Sequence, residues 1–349
     1  MGVSIIDIAA LAGVSKSTVS AVINQHPNVR PATRERVMEV IRRLDYHPNL
    51  AARELITASP MNIGIIMPTY GNGERGSGRY FESIDEGSNL ELVSQLIEQV
   101  SRTRYGVLVE HAVISDCEPS LPSFALSRRV AGVFQISPLL TASYVHNLRQ
   151  YVPNVVEIGA LNPDCDCVYT DFAEIARRSV EYLVGFGHRR IAFINCNEGS
   201  RTAASRLAGY RQGLAENGLC YRADWVCHSP FNGIGGYRAF SDIWRTEGEK
   251  PTAVICATSA IGGGALRFMN ENGISVPRDV SVVCNGDNVI SEFVTPQLTV
   301  ICRDKTEIAK CAFDMMMERL KDATLPPRAV KTVDRVIERA SVRRLSENE

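Results

Sequence analysis

From Asn62 onward, short apolar runs of strand length alternate with amphipathic stretches of helix length, and few architectures accommodate that alternation. The spacing predicts strands at Ile63–Met67, Val107–Val109, Gly132–Ile136, Val155–Ile158, Ile191–Ile194, Ala253–Cys256, Val280–Val283 and Leu298–Ile301. It predicts helices over 90–103, 173–186, 203–217, 260–272 and 305–320. Such alternation implies parallel sheets with helices on both faces, in two units. A length of 349 residues, at about 150 per domain, agrees with roughly two domains. Ligands in folds of this kind bind beyond the carboxyl ends of the strands, here between two lobes.

The first sixty residues follow a different period. Ile5, Ile8, Ala9 and Ala12 recur at helical spacing, and Gly13 then breaks the chain. Ser15 is a good N-cap for a second helix with Val19, Val22 and Ile23 inward. A third helix follows Pro31, with Val37, Ile41 and Leu44 inward and Arg34, Arg36, Arg42 and Arg43 outward. Two helices joined by a short turn containing glycine form a helix-turn-helix. The whole chain has a net charge of −1, but the basic residues of this segment, from Lys16 to Arg53, outnumber its acids. That sign points to a polyanion as partner.

The second helix of the pair, 16–24, would enter a major groove. Lys16 and Ser17 would lie near base edges, and Thr18, Ser20 and Asn24 suit phosphates. The bland alternative is a helical bundle with a solvated polar face. The stretch Tyr46-His47-Pro48-Asn49-Leu50-Ala51-Ala52-Arg53-Glu54-Leu55 argues against it. Asn49 caps room for two helical turns before Pro60, a piece too short to be stable unless it orders against something else.

Hydrophobic residues make up 45% of the chain and charged ones 22%, which excludes a disordered acidic chain. No apolar run approaches the ~18 residues of a membrane helix. Met1-Gly2-Val3-Ser4 lacks the basic start of a signal peptide, so the ten cysteines read as reduced thiols of a cytoplasmic protein. Cys165-Asp166-Cys167 has no second pair or histidines at zinc spacing, so no metal is expected. Gly262-Gly263-Gly264 lacks the Lys-Ser/Thr of a phosphate loop, and no cofactor is expected. His188 reads as structural. No nucleophile elbow, His-Glu-x-x-His motif or supported acid pair occurs, which speaks against catalytic residues and against an enzyme.

Several motifs together resemble the lactose-repressor (LacI/GalR) family of bacterial transcription regulators. They are Asp7-Ile8-Ala9, Ala12-Gly13-Val14-Ser15, Thr18-Val19-Ser20, Val22-Ile23-Asn24, Thr33-Arg34 and Tyr46-His47-Pro48-Asn49 with Ala52, Arg53 and Leu55. The resemblance continues, more thinly, through Gly187-His188-Arg189-Arg190-Ile191-Ala192, Arg206-Leu207-Ala208-Gly209-Tyr210, Val280–Val283 and Pro296-Gln297-Leu298-Thr299. It implies a small all-α helix-turn-helix DNA-binding domain at 1–48 and a hinge helix and linker at 49–60. An α/β two-lobed domain with parallel sheets, like periplasmic binding proteins, would follow at 61–349. The N-lobe would take about 61–167 and 303–328 and the C-lobe 168–301 and 329–344, with crossings near 168, 302 and 329.

The resemblance also implies a homodimer on a pseudo-palindromic double-stranded operator, with Leu55 wedged into the minor groove. Its DNA-contacting positions fall on Ser15, Lys16, Ser17, Thr18, Ser20, Ala21, Asn24, Tyr46, Asn49, Ala52, Arg53 and Leu55. Ala21 replaces a longer base-reading side chain and offers only apolar contact, as to a thymine methyl. The C-terminal end lacks a leucine heptad for tetramerisation.

In the cleft the sequence departs from the family. Arg206 is retained, Thr258-Ser259 replaces an Asn-Asp pair, and Gly159 and Gly286 stand where aspartates are common, although Asp287 follows the second. Arg303 replaces a glutamine. Arg206, Thr258, Ser259, Asp287 and Arg303 are thus the candidate effector-binding residues. The two arginines suit an anionic ligand such as a sugar acid or sugar phosphate. The competing reading is a closed cleft. Residues 71–87 form a glycine-rich stretch in which Tyr80 and Phe81 could cover a sugar ring. The expectation is a repressor of carbohydrate metabolism controlled by a small sugar-like effector. The alternatives are an effector-independent or partner-controlled regulator, or a sugar-binding module that no longer reads DNA.

Overall fold

The computed structural model describes residues 3–23, 26, 28–44, 60–70, 88–114, 119–136, 140–198 and 201–346. It divides into two compact units, Met1–Met61 and Asn62–Glu349. The first holds α1 (Ile5–Ala12), α2 (Lys16–Ile23) and α3 (Pro31–Arg43). A capping box starts α1: Asp7 N donates to Ser4 Oγ, and Ser4 N donates to the Asp7 carboxylate at 2.8 Å. Gly13 ends it at φ 61°, a left-handed turn that a side chain disfavours. Ile8, Ala9, Ala12, Val19, Val22, Val37 and Val40 form the core of this unit. On α3 the buried pair is Val37 and Val40, one turn apart, while Ile41 and Leu44 pack at its edge.

Among its described residues, the second unit contains two six-stranded sheets. The first sheet comprises β1 (Asn62–Tyr70), β2 (Gly106–Ile114), β3 (Gly132–Ile136), β4 (Val155–Gly159), β5 (Asp166–Tyr169) and β11 (Ala329–Lys331). Their order is β11-β5-β4-β3-β1-β2, and all pairs are parallel. The second comprises β6 (Ile191–Cys196), β7 (Val226–Ser229), β8 (Ala253–Cys256), β9 (Ser281–Asn285), β10 (Thr299–Arg303) and β12 (Asp334–Ile337). Their order is β12-β10-β9-β8-β6-β7, and only β12 runs antiparallel.

Helices cover both faces of each sheet. On the first, α4 (Ser88–Ser101) and α12 (Lys305–Arg319) pack on one side through Leu96, Val100, Ala312 and Met316. The short α5 (Ser123–Leu126) and α6 (Ala142–Arg149) bring Phe124, Tyr144 and Leu148 to the other. On the second sheet, α7 (Phe172–Gly185) and α8 (Arg201–Glu216) oppose α9 (Gly233–Arg245) and α10 (Ser259–Glu271), followed by the short α11 (Val289–Phe293). The glycines of α9 and α10 serve this packing. A Cβ on Gly264 would lie 1.9 Å from Gly233 O, and one on Gly236 would lie 2.0 Å from Ile261 O.

Sequence periodicity does not find β5, β7, β11, β12, α5, α6, α9 or α11. These are mainly short or edge elements; β11, for instance, is three residues long and exposed throughout. Because β11 pairs with β5, the third crossing between sheets falls at Thr332-Val333, a few residues beyond the expected 329. Residue 168 likewise lies inside β5, so the first crossing begins after Tyr169. Among the described residues, no single helix is long and apolar enough to cross a membrane.

Candidate functional site

The start of α2 is built from hydroxyl groups. Ser15 Oγ accepts from Thr18 N at 3.1 Å, satisfying one of the free N–H groups of the first turn. The Ser17 and Thr18 hydroxyls lie 2.7 and 2.8 Å from the same oxygen. Val19 and Val22 are buried, so the opposite side of the helix presents Ser15, Lys16 and Ser17 fully exposed, with Thr18, Ser20 and Ala21 half-buried beside them. Arg34 on α3 donates to His26 O at 2.7 Å and so holds the segment after α2. Asn24, Tyr46, Asn49, Ala52, Arg53 and Leu55 lie outside the described residues, as does 71–87 with Tyr80 and Phe81.

In the larger unit, the carboxyl ends of β6, β8, β9 and β10 lead into the expected cleft residues. Arg206, on α8 and 6% exposed, donates from Nη1 to Thr202 Oγ1 and to Cys196 Sγ. Its guanidinium lies 4.2 Å from the centroid of Phe172, the first residue of α7. Arg303, the last residue of β10, reaches the same ring at 5.7 Å and donates to Thr170 Oγ1 at 2.7 Å. Phe172 therefore joins two arginines that are far apart in sequence. The cation–π geometry is the signal that identifies it, and linear spacing could not have supplied it.

Three of the other expected effector residues are likewise bonded within the protein. Thr258, 2% exposed, caps α10 by accepting from Ile261 N. Ser259, 1% exposed, donates to Gly286 O at 2.5 Å and accepts from Ser291 Oγ. Asp287 makes a two-pronged ion pair with Arg339 at 3.1 and 2.9 Å, and Arg339 also bonds Leu298 O. A buried hydroxyl needs a partner, and a half-buried carboxylate needs a cation; the protein supplies both from within. Gly159 and Gly286 sit at φ 115° and 102°. At Gly286 a Cβ would meet open space, so backbone conformation rather than crowding favours glycine there.

The crossings between lobes are tied together at this point. Arg303 on the second holds Thr170 on the first, and Thr332 on the third places its hydroxyl 3.5 Å from Thr170 Oγ1 and its N–H on Tyr169 O. Lys305 bonds Glu91 of the first lobe and Asp287 O of the second. Beside it a polar cavity of about 280 Å³ is walled by Arg303, Lys305 and Arg335 together with Glu91, Asp287, Glu292 and Asp304. Asp334 faces Arg303 across the β10–β12 pairing. Burial pushes its carboxyl above the usual range, against the pull of Arg303, Arg178 and Lys331.

Elsewhere the buried polar groups are structural. Both ring nitrogens of His188 are bonded, to Thr252 Oγ1 and Arg343 O, and burial pushes its pKa down to about 4. Burial also pushes the Cys165 thiol up to about 12, so it stays protonated and unreactive at neutral pH. Among the described residues, no three His, Cys, Asp or Glu side chains are grouped to hold a metal ion.

A helix-turn-helix joined to two α/β lobes with convergent polar groups at the strand ends is the architecture of a ligand-responsive DNA-binding regulator. The comparisons agree. Residues 4–49 match a family described as bacterial regulatory proteins, lacI family, and residues 180–342 match a periplasmic binding protein-like domain. The chain is 28% identical over 348 residues to catabolite control protein A of Priestia megaterium, covering 98% of this chain and 100% of the relative. It is also 28% identical to the HTH-type transcriptional repressor PurR of Vibrio campbellii, with 97% and 98% covered.

Its fold is similar to that of the lac repressor dimer bound to operator and the anti-inducer ONPF, with a TM-score of 0.77, 24% identity and 98% and 100% coverage. It is also similar to a CelR–cellobiose complex, with a TM-score of 0.69, 24% identity and 97% and 99% coverage. The chain thus carries a lacI-type regulatory region at 4–49 and a periplasmic binding protein-like domain at 180–342, and along nearly its whole length it is similar to transcriptional repressors.

Proposed function

We propose that this regulator acts in the cytoplasm as a homodimeric repressor on a pseudo-palindromic operator. In this reading α2 enters the major groove and Leu55 serves as the minor-groove wedge. An anionic small molecule, of the sugar-acid or sugar-phosphate type, binds between the lobes and sets operator affinity. The observation that carries the ligand class is the convergence of Arg206 and Arg303 on Phe172. A guanidinium fork matches a carboxylate or phosphate, and the ring can lie against the apolar face of a sugar.

The coupling follows from where Arg303 sits. A ligand anion that draws Arg303 away from Thr170 alters a hydrogen bond between two of the three crossings, and so biases the angle between lobes. The ligand shifts operator affinity only by its differential affinity for the two arrangements, typically 1–3 kcal/mol. A second reading, a closed cleft with control by a partner protein, is favoured by the internal bonding of Thr258, Ser259 and Asp287.

A thermal-shift screen against neutral sugars, sugar phosphates and sugar acids separates the two. A ligand at 100 times its Kd stabilises the folded state by about 2.7 kcal/mol. The anionic reading expects a shift from charged ligands that Arg303→Gln abolishes. A shift from neutral sugars alone, or from nothing in the set, would count against it.

A further inference from the structure

The strands of the first sheet all run the same way, so their amino ends form one continuous rim, and Asn62 sits on it. That residue is where the chain enters the larger unit from the DNA-binding one. Asn62 pairs with Gly106 at the start of β2, and Ile63 pairs with Gly132 at the start of β3. The two loops flanking the entry point therefore carry Arg102 and Arg104 on one side and Arg128 and Arg129 on the other. All four are exposed. Asn62 Nδ2 donates to Arg129 O at 3.3 Å, and Ala131 N donates to Asn62 O at 2.8 Å, so the second loop is pinned to the entry point itself.

Acidic residues answer this charge only in part. Arg102 pairs with Glu98 at 2.5 Å on the surface, and Glu110 lies near Arg129 while it caps Ser123 and Phe124. Arg104 lies over the Tyr105 ring at 5.3 Å. Among the described residues, no ion pair involves Arg104 or Arg128.

Arg128 carries a second, independent sign. At φ 52° it is the only non-glycine with a left-handed backbone among the described residues, at a helix end where glycine is the usual solution. A disfavoured conformation kept at an exposed arginine points to a use for the side chain.

We propose that this rim is a second DNA-contacting surface, which holds phosphates of the operator duplex outside the groove that α2 reads. Guanidinium groups pair with phosphate oxygens two at a time and carry no sequence information, so the rim adds affinity and salt dependence without specificity. Duplex DNA is favoured over an acidic protein because the tether keeps it close. Residues 45–61 span at most about 60 Å fully extended, so the smaller unit and any DNA it holds are tethered within that reach of Asn62.

The test uses the full-length protein and its operator at several salt concentrations. The triple variant Arg104→Gln, Arg128→Gln, Arg129→Gln is expected to weaken operator and non-specific DNA alike. It should also flatten the slope of log affinity against log salt by about 0.9 for each phosphate that is no longer neutralised, counted on both protomers of the dimer. The bases recovered by selection should not change. Arg128→Gly relaxes the backbone, so its Tm should stay level or rise while the slope still flattens, which separates DNA binding from folding. Arg128→Lys should keep most of the slope. An unchanged slope in the triple variant would overturn the proposal. So would an affinity loss with the slope intact, since that traces the effect to displacement of the chain at Asn62.

Discussion

On α2, Ser15, Lys16 and Ser17 stand exposed, and their hydroxyl bonds close within a single helical turn. In the cleft, Ser259, Asp287 and Arg303 are held by partners 27, 52 and 133 residues away. The first surface is assembled by local rules and left open for an external partner. The second is assembled by the fold, and much of its polar capacity is already used inside the protein. Similar residue types are thus exposed in one region and engaged with distant partners in the other, and the sequence range of their hydrogen bonds separates the two.

The sharpest break of that comparison is Asp287→Ala. Removing one partner of a largely buried ion pair typically costs 3–5 kcal/mol, and the exposure of Asp287 puts the expected loss near the lower end, about 3 kcal/mol. Ligand-free protein should therefore melt markedly earlier. A carboxylate kept for the ligand would instead leave that melt untouched and change only the ligand response.

A loss of similar size is expected from acid. His188 has its pKa lowered from 6.5 to about 4, so below pH 6.5 the unfolded chain takes up a proton that the folded one refuses. Stability is full above 6.5 and falls as the pH drops toward 4, by roughly 3 kcal/mol at the end of that window. Denaturant midpoints measured at pH 7.5, 5.5 and 4.5 should decline in that order. A His188→Gln variant that declines just as steeply would show that another group is responsible.

Asp334 runs the other way. Its carboxyl is raised above 3.8, so the folded state loses stability as pH rises through that window, and the penalty is complete at neutral pH. Asp334→Asn should therefore be the more stable protein at pH 7, with the advantage fading below about 3.8. Equal melts at pH 7 would mean that Arg303 and Arg178 offset burial fully.

On the open surface the effects are smaller and concern DNA. Exchanging Lys16 for Gln should alter which base a selection recovers at one position, with about 1–3 kcal/mol of discrimination at stake. An unchanged consensus would remove α2 from the groove. Smallest of all, Ser15→Ala removes a cap worth about 1 kcal/mol. It should loosen the DNA-binding unit alone, seen as faster amide exchange at Thr18 with no change in the larger unit.

Much of the core was legible because it obeys a period. The eight expected strands and five expected helices are all present, since a buried parallel strand shows as an apolar run and a surface helix shows as a stripe. The edges were not legible: β11 is exposed and β12 begins on a buried aspartate, so neither has the apolar signature of a strand. In the cleft, Arg206 and Arg303 could be picked out by residue type. Phe172, Thr170 and Asp334 could not, because their roles depend on neighbours brought from distant segments.

By itself, the sequence determined the helix-turn-helix, the strand–helix alternation and the basic character of the N-terminal segment. Each of these rests on interactions within a few residues, which spacing encodes directly. Only the tertiary structure decided that Thr258, Ser259 and Asp287 find partners within the protein, that one aromatic ring joins two arginines, and that four arginines flank the entry of the chain into the first sheet. Those outcomes depend on which strands become neighbours and how deeply each group is buried. Packing of the whole chain settles both, and no local stretch specifies either.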